Sequence, residues 1–436
     1  MKIKTKKLPY EEVIKLPHAK DKKPRKPSFF FRKLIYILAS GDLKKTGFKL
    51  NEGDMRGVSD KEPALYLMNH SCFTDLYIAS HVIKGPYNIV ATTDAFIGKE
   101  NLMRAIGCIP TQKFQTDIKL INDISYCLKQ LKTSVLMYPE AGYTFDGTTT
   151  TLPASLGKFL KILGFPVVMI ESHGAFLRDP LYNGLRIRNV KISADKCTLF
   201  TADELKTMSA DVINERIAKA FSFDNLREQF EKKIRVTEDF RAEGLSRVLY
   251  KCPVCAAESK MQGSGITLKC ENCNSKWELT ELGKMEMINK GPVPGGGQEA
   301  SAAELPGSFD HIPDWFKWER ECVRKELENG SYRLDIPVNI YMIVDNKAFY
   351  EVGEGRLTHT CEGFHLTGCD GKLDFIQKPL SSYSVNSDYF YYEIGDMISI
   401  GDKNGLFFCF PKEEVDVVAK TRLAAEELFK IKKKEV

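Results

Sequence analysis

A histidine and an aspartate five positions apart, His70 and Asp75, have the residue types and the spacing best suited to catalysis in this chain. Imidazole has an ordinary pKa of about 6.5, so it is largely neutral near pH 7 and can accept a proton from a hydroxyl group. A carboxylate on its other nitrogen fixes the tautomer and stabilises the imidazolium as it forms. The local sequence predicts a turn leading into a helix, from which Asp75 reaches back to His70. The pair therefore predicts a general base acting on a hydroxyl, worth roughly 10²- to 10⁴-fold in rate.

A second polar segment, at residues 138–142, reads Tyr-Pro-Glu-Ala-Gly and follows an apolar run. It places Glu140 directly after a predicted strand, just as His70 follows the apolar run at residues 64–68. In α/β folds, ligands bind beyond the carboxyl ends of such strands. We therefore expect Glu140 to belong to the same site as His70, where it either binds the acceptor that carries the hydroxyl or has a structural role.

Four sequence blocks, in order, resemble the glycerolipid acyltransferases of the lysophosphatidate acyltransferase (PlsC-like) group. His70 and Asp75 match that family's H-x4-D motif, and the second, third and fourth blocks correspond to residues 107–113, 138–142 and 165–170. The resemblance implies an acyltransferase that moves a fatty acyl group from an acyl thioester to the hydroxyl of a lysophospholipid or 1-acylglycerol-3-phosphate. The acyl carrier would be CoA or acyl carrier protein, and no redox cofactor is implied.

The same resemblance implies roles for individual residues. His70 would be the general base, oriented by Asp75. The substrate-binding residues would come from all three of the polar blocks: Asn69, Gly107, Lys113, Pro139, Glu140 and Gly142. Of these, Lys113 is the strongest candidate for the charge that holds the acceptor.

Two departures from the family pattern concern the acceptor. Tyr143 stands where the third block has arginine, and Lys113 stands where the second block usually ends in arginine. Arginine binds phosphate through two parallel hydrogen bonds, whereas lysine offers a point charge and tyrosine offers none. The acceptor therefore stays open between lysophosphatidate, a lysophospholipid with a larger head group and another lipid alcohol.

Apolar runs alternating with amphipathic segments position these residues. The pattern predicts an α/β domain with a mixed, mostly parallel sheet flanked by helices. The clearest strands are predicted at residues 64–68, 87–91 and 134–138, and the clearest helices at 76–82, 101–106, 118–131 and 156–163.

Four cysteines form two C-x-x-C pairs, Cys252 with Cys255 and Cys270 with Cys273, with fourteen residues between the pairs. This spacing is typical of a zinc ribbon, in which the four thiolates hold one Zn(II) tetrahedrally. Four protein ligands leave no open position, so we expect a structural zinc in a packing or partner-docking module. Few basic residues surround the pairs, and no nucleic acid is expected as a partner.

Composition divides the 436 residues into five predicted segments. They are a basic amphipathic arm at 1–45, the acyltransferase domain at 46–247, the zinc ribbon at 248–284, a flexible Gly- and Pro-rich linker at 285–307 and a β-rich domain at 308–436. The last segment, with its short strands and final helix at about 412–432, resembles a pleckstrin-homology-like (PH-like) antiparallel barrel or sandwich. Its role is open between binding a lipid head group or protein and a packing or regulatory function.

The arm contains a strong excess of positive charge. Its first 33 residues hold twelve Lys or Arg against three Asp or Glu, a net of +9, in a chain whose total is +5. The aromatic and aliphatic run at residues 29–39 is too short and too charged to span a bilayer, and is typical of a helix in the membrane interface. With no secretion signal in view and scattered cysteines, we predict a cytoplasmic enzyme, peripheral on the inner face of a membrane.

Two functions of other classes remain compatible with the sequence. One is an inactive acyltransferase fold that serves as a lipid-binding scaffold, and the other is a zinc-ribbon nucleic-acid binder. The intact H-x4-D motif disfavours the first, and the weakly basic ribbon disfavours the second.

Overall fold

The computed structural model describes residues 3–59, 61–114, 117–184, 186–292, 309–402, 405–413 and 416–435. It contains an α/β domain, a small four-stranded ribbon and a C-terminal antiparallel sheet. Most of the linker predicted at 285–307 lies outside the described residues.

The strands in chain order are β1 (Thr5–Lys7), β2 (Lys49–Glu52), β3 (Leu65–Met68), β4 (Tyr87–Thr92), β5 (Cys108–Thr111), β6 (Ser134–Met137), β7 (Val167–His173), β8 (Ser193–Phe200), β9 (Met261–Ser264), β10 (Thr267–Cys270), β11 (Lys276–Leu279), β12 (Met285–Asn289), β13 (Leu334–Ile343), β14 (Phe349–Thr360), β15 (Gly363–Gly368), β16 (Leu373–Gln377), β17 (Asn386–Tyr391), β18 (Gly395–Asp402) and β19 (Gly405–Pro411). The α-helices are α1 (Tyr10–Val13), α2 (Phe29–Lys45), α3 (Thr74–Val82), α4 (Glu100–Ile106), α5 (Ile118–Tyr126), α6 (Leu156–Leu163), α7 (Ala175–Arg178), α8 (Ala202–Thr207), α9 (Ala210–Ala220), α10 (Asn225–Glu231), α11 (Ile312–Glu328) and α12 (Val418–Glu435).

The α/β domain is built on a seven-stranded sheet in the order β2-β8-β7-β3-β6-β4-β5. Strands β7, β3, β6, β4 and β5 run parallel to one another, and β8 runs antiparallel to β7. The prediction of a mixed, mostly parallel sheet is therefore confirmed. The parallel arrangement brings the carboxyl ends of β3 and β6 to the same edge, where the first and third sequence blocks begin.

Alternating side chains of the central strands build a core on each face of this sheet. On β3, Tyr66 and Met68 point to one face, where helices α2 and α3 pack, while Leu65 and Leu67 point to the other, where α5, α6 and α9 pack. All four side chains are buried. The near-continuous apolar composition of β3 is what a strand covered on both faces requires.

The ribbon is an antiparallel sheet in the order β12-β11-β10-β9. Strand β12 pairs with β11, so the ribbon runs to Asn289 and takes up residues that the sequence analysis placed in the linker. Trp277 of β11 is buried against Trp315 of α11, with their ring centroids 5.1 Å apart. The ribbon is thus part of a core shared with the C-terminal region.

The C-terminal sheet has the strand order β16-β15-β14-β13-β19-β18-β17, with antiparallel pairing throughout this path. Helix α12 packs on β17 and β18 and against α11. Antiparallel strands followed by a helix agree with the predicted composition of this domain, and its PH-like character stays a prediction.

One strand of this sheet differs from its prediction. The sequence suggests separate strands at residues 347–352 and 356–361, divided by a turn, but the structure has a single long strand, β14. A β-bulge explains the difference: Ile340 pairs with Gly353 and Tyr341 with Glu351, so one residue of β14 is extra. Gly353 has φ +146°, a conformation that residues with side chains rarely adopt.

The N-terminal strap, residues 3–28, lies against both large domains. Strand β1 pairs in parallel with β14 of the C-terminal sheet, and the Ala19 amide donates to the Val344 carbonyl at 3.1 Å. Further along, Lys22 forms an ion pair with Glu100 of the α/β domain at 2.8 Å. The segment predicted to be a membrane-associating arm therefore includes residues that tie the two domains together.

Helix α2, the second half of the predicted arm, packs Ala39 and Leu43 into the α/β core. Its other faces expose large apolar side chains: Phe29, Phe30, Leu34, Tyr36, Ile37 and Leu38. Among the described residues, no helix combines the length and the apolar character needed to cross a bilayer.

Candidate active site

His70 and Asp75 lie at the carboxyl end of β3, where the turn at residues 69–73 leads into α3. The Asp75 carboxylate in the first turn of α3 accepts hydrogen bonds from the backbone amides of Ser71, at 2.7 Å, and Cys72, at 3.1 Å. These bonds bend the turn so that His70 Nδ1 lies 3.1 Å from Asp75 Oδ2. The structure therefore brings the predicted pair into hydrogen-bond contact.

The imidazole of His70 is held in one orientation. An ionised carboxylate only accepts hydrogen bonds, so Nδ1 carries the proton and Nε2 carries the lone pair. The ring lies between those of Tyr138, with centroids 4.0 Å apart, and Tyr143, with centroids 4.3 Å apart. Burial lowers the pKa of His70 from its ordinary value, against the opposing effect of the bond to Asp75. The group is thus a neutral base near pH 7.

Glu140 lies on the backbone side of His70. Its Oε2 accepts the His70 backbone amide at 2.9 Å, and its Oε1 accepts the Thr150 amide at 2.9 Å. The residue is only 1% exposed, and burial raises the pKa of its carboxyl to about 8, against these two hydrogen bonds. Of the two roles that the sequence left open for Glu140, this geometry matches the structural one, because both oxygens are engaged by the protein.

Asn69 pins the end of β3 to β7. Its Oδ1 accepts the Ser172 amide at 2.7 Å, and its Nδ2 donates to the Ser172 carbonyl at 3.2 Å. The Ser172 hydroxyl in turn donates to Asp75 Oδ1 at 3.3 Å. Asn69 is fully buried, so it supports the His70–Asp75 pair from behind and has no surface open to a substrate.

Two predicted glycines also belong to the framework. Gly107 ends α4 with φ +99°, and a Cβ there would lie 2.8 Å from Pro27 of the strap. Gly142 lies beside Arg422 of α12, whose Nη2 is 3.8 Å from where a Cβ would be. At Gly107 the strap therefore leaves no room for a side chain, whereas the contact at Gly142 is an ordinary van der Waals one.

A cavity of about 1510 Å³ lies beside the His70 imidazole. Lys113 and Pro139, both predicted site residues, line it together with His70. Its walls are mainly apolar and come from both faces of the domain: Leu38, Leu76, Met103, Ile106, Leu120, Ile121, Leu152 and Phe159. An apolar cavity of this size is larger than most small-molecule sites and suits aliphatic chains.

The C-terminal domain supplies the remaining wall, which the sequence analysis did not foresee. The lining includes Asp388 and the four aromatic residues after it in and beyond β17, and Lys430 of α12. These residues lie more than 200 positions from the acyltransferase blocks and match no local motif, so only the folded chain identifies them.

Three hydrogen bonds around the cavity join the domains. The Tyr392 hydroxyl donates to Asp94 Oδ2 at 2.7 Å, and the Ser382 hydroxyl donates to the Phe114 carbonyl at 3.0 Å. The Thr151 hydroxyl donates to a carboxylate oxygen of Glu426 at 3.0 Å. The cavity is therefore an interdomain one.

Arg422 brings a guanidinium to the third block, where the sequence has Tyr143 instead of arginine. Its Nη1 donates to the Tyr143 carbonyl at 3.2 Å, and its Nε donates to the Ser387 hydroxyl at 3.1 Å. The guanidinium lies over the Phe145 ring, 3.6 Å from its centroid. Arg422 thus fixes both the third block and the start of β17.

The four predicted metal ligands lie together. All four Sγ atoms are within 4.8 Å of one another, and the Cys252–Cys273 and Cys255–Cys270 pairs are each 3.7 Å apart. Four thiolates at about 2.3 Å from a tetrahedral ion are about 3.8 Å apart. The donor set and its spacing therefore fit Zn(II).

Parts of this chain are similar to known proteins. A family model described as Acyltransferase matches residues 49–170, which include His70, Asp75 and Glu140. Among solved structures, the chain is similar to the 1-acyl-sn-glycerophosphate (LPA) acyltransferase PlsC from Thermotoga maritima, with 11% sequence identity, 44% of this chain and 78% of that chain covered, and a TM-score of 0.33. None of the curated proteins compared with the chain matches it.

Proposed function

We propose that the chain transfers a fatty acyl group from acyl-CoA or acyl carrier protein to the hydroxyl of a lysophospholipid or 1-acylglycerol-3-phosphate, since a family model described as Acyltransferase matches residues 49–170. The observation that carries the proposal is the His70–Asp75 pair, with its nitrogen and oxygen 3.1 Å apart, at the wall of an apolar cavity of about 1510 Å³. The pair supplies the base, and the cavity has room for aliphatic substrates.

In the proposed reaction, His70 Nε2 removes the proton of the acceptor hydroxyl as its oxygen attacks the thioester carbonyl. A tetrahedral intermediate forms, and its collapse breaks the carbon–sulfur bond and forms the ester. The leaving thiolate takes the proton from the imidazolium, which returns His70 to its neutral form. Asp75 stabilises the imidazolium through the Nδ1 hydrogen bond during these steps.

The other predicted site residues divide into two groups in this proposal. Lys113 and Pro139 line the cavity and would contact substrate, with the Lys113 ammonium near the acceptor's head group. Asn69 and Glu140 are positioning residues, because they hold the backbone on either side of His70. Gly107 allows close packing of the strap, and Gly142 lies beside Arg422 of α12.

We further propose that Cys252, Cys255, Cys270 and Cys273 bind a structural Zn(II), supported by the clustering of their four Sγ atoms within 4.8 Å. Helix α2 is the proposed membrane contact, supported by its exposed apolar side chains and by the basic residues around it. The protein would then act on the inner face of a membrane, and the PH-like domain would serve as part of the substrate cavity.

An acyl-transfer screen tests the function. Radiolabelled acyl-CoA and acyl carrier protein are each offered with a panel of lysolipids, and the wild-type protein is compared with His70→Ala. We expect product with the wild type and its loss in the variant, with unchanged thermal unfolding. A wild type that transfers no acyl group to any acceptor, while still binding lysolipid, would instead identify an inactive scaffold.

A further inference from the structure

Two opposite charges, on Lys113 and Asp388, face the substrate cavity. Lys113 follows β5 of the α/β domain, and Asp388 belongs to β17 of the C-terminal sheet. One Asp388 oxygen accepts the Tyr389 backbone amide at 2.9 Å. Within the part of the chain that the structure describes, neither the second oxygen nor the Lys113 ammonium has a hydrogen-bond or ion-pair partner. Charges in a largely buried site are costly unless a ligand or a counter-ion pairs with them.

The position of Asp388 is fixed by its neighbours. Arg422 binds both the hydroxyl and the carbonyl of Ser387, immediately before it. After it, the pairing of β17 with β18 shifts register, and Phe390 and Tyr392 adopt left-handed backbone conformations with φ +53° and +49°. Non-glycine residues keep such conformations only where the surrounding structure holds them, and they cluster at ligand sites. The carboxylate is therefore presented to the cavity by a preorganised segment.

The charges around Lys113 are already balanced. Burial lowers the pKa of Lys113, and the nearby carboxylates of Asp388 and Asp94 oppose this effect. Burial raises the pKa of Asp388 to about 6, with Lys113 and Arg422 opposing. A phosphate monoester dianion would bring two more negative charges next to Asp388, and none of the described residues that line the cavity is an arginine. A head group with one phosphodiester and one ammonium adds no net charge and offers each ion a partner.

We propose that Lys113 and Asp388 form a two-point site for a zwitterionic head group, in which Lys113 binds the phosphodiester and Asp388 binds the ammonium group. The inference rests on the proposed acyl transfer and names its acceptor class: an amine-bearing lysophospholipid, in preference to lysophosphatidate. The amine is either primary, as in ethanolamine, or quaternary, as in choline. The aromatic rings of Tyr389 to Tyr392 on the same wall favour either cation.

The test compares acceptors of identical acyl chain: lysophosphatidylethanolamine, lysophosphatidylcholine, lysophosphatidylglycerol and lysophosphatidate. The measured quantity is the ratio of kcat/KM for the zwitterionic acceptors to that for lysophosphatidate. Asp388→Asn removes the carboxylate, and Asp374→Asn makes the same change on a β16 side chain that is 73% exposed. We expect a ratio well above one for the wild type, a fall of about tenfold or more in Asp388→Asn and no change in Asp374→Asn. The ethanolamine and choline arms identify the amine.

Several outcomes would overturn the inference. The inference is overturned by the wild type alone if it prefers lysophosphatidate, or if it uses lysophosphatidylglycerol as well as the zwitterionic acceptors. It is also overturned if the kcat/KM ratio of Asp388→Asn equals that of Asp374→Asn. Calorimetric binding of the same four lysolipids below their micellar concentrations separates this inference from the catalytic proposal. Zwitterion-selective binding that depends on Asp388, without acyl transfer, would uphold the head-group site and reject the enzyme. Acyl transfer that is unaffected by Asp388→Asn would uphold the enzyme and reject the head-group site.

Discussion

At the scale of single residues, His70 and Asp75 form one hydrogen-bonded unit. The carboxylate of Asp75 both orients the His70 ring and accepts the amides that shape its turn. We expect His70→Ala and Asp75→Asn each to lower kcat by about 10²- to 10⁴-fold, and the double variant to lose no more than the worse single one. Initial rates with a labelled acyl thioester measure this. Asp211→Asn, a surface change on α9, is the control, and additive losses would contradict the paired mechanism.

The pH dependence follows from the lowered pKa of His70. The base must be deprotonated, so kcat/KM rises with pH through the pKa of the free enzyme and then levels off. Burial lowers this pKa, so we expect the midpoint of the acid limb below the ordinary value of about 6.5. Asp75 raises the same pKa by its hydrogen bond, so Asp75→Asn should move the midpoint further down while lowering the plateau. A pH–rate profile with its midpoint above 6.5 would contradict the assignment of His70 as the base.

The sequence predicts those site residues whose chemistry is local. His70 and Asp75 lie five positions apart, and the four cysteines form two short pairs, so their types and spacing identify them without the fold. The family match to residues 49–170 confirms the resemblance drawn from the four blocks. Asp388 and Arg422 escape such reasoning because an isolated acidic or basic residue on a strand or helix is usually solvated. Only the docking of β17 and α12 against the third block gives them a place at the cavity.

At the scale of elements, helix α2 has an exposed face whose role can be tested without disturbing the cavity. Phe30 and Ile37 lie seven positions apart on one face and are 66% and 56% exposed. Replacing both with serine should weaken binding to anionic liposomes by roughly tenfold or more, because their apolar surface no longer enters the lipid. Thermal unfolding should stay unchanged, since neither side chain packs in the core. Flotation with liposomes measures the binding.

The matched control for this prediction exposes similar apolar surface elsewhere. Val212 on α9 and Phe230 on α10 are 46% and 44% exposed, and their replacement by serine should leave liposome binding unaltered. Equal losses in the two double variants would assign the binding to general surface hydrophobicity. Deletion of the whole N-terminal region is a poorer test, because β1 pairs with β14 and the deletion would remove part of the fold.

Elements with a strong local pattern are predictable, and those shaped by distant contacts are not. The strands ending at His70 and Glu140 follow from apolar runs, as does the mostly parallel sheet. The length of β14 does not follow from the local pattern, because Gly353 forms a bulge that depends on the pairing with β13 and not a turn. The strap is the clearest case: its basic composition predicts an arm at a membrane, whereas its backbone hydrogen bonds to β14 depend on a strand that begins more than 300 residues later.

At the scale of the whole molecule, the ribbon links the domains through a shared core, so a metal bound by its four cysteines should stabilise more than the ribbon alone. Trp277 packs on Trp315, and ligand-free ribbons of this kind rarely stay folded. We expect about one zinc ion per chain, lost in Cys270→Ser, with a fall in Tm of roughly 5 to 10 °C. Metal analysis and thermal unfolding measure both. Cys197→Ser, at an exposed cysteine, should retain the zinc, and a normal Tm in metal-free Cys270→Ser would exclude a structural role.

The cavity exists because two domains meet, so the contacts between them should set both stability and substrate binding. The Tyr392 hydroxyl donates to Asp94, which is only 8% exposed, at 2.7 Å. Tyr392→Phe leaves that carboxylate oxygen without its donor, and the free energy of unfolding should fall by about 1 to 3 kcal/mol. Because Tyr392 also lines the cavity, KM for the lipid acceptor should rise while kcat changes little. Denaturant unfolding and acceptor titrations measure the two effects.

The control is Tyr36→Phe, at a half-exposed tyrosine on α2, which should change neither the stability nor KM. A Tyr392→Phe variant with wild-type stability and KM would show that the interdomain contact does not shape the acceptor site.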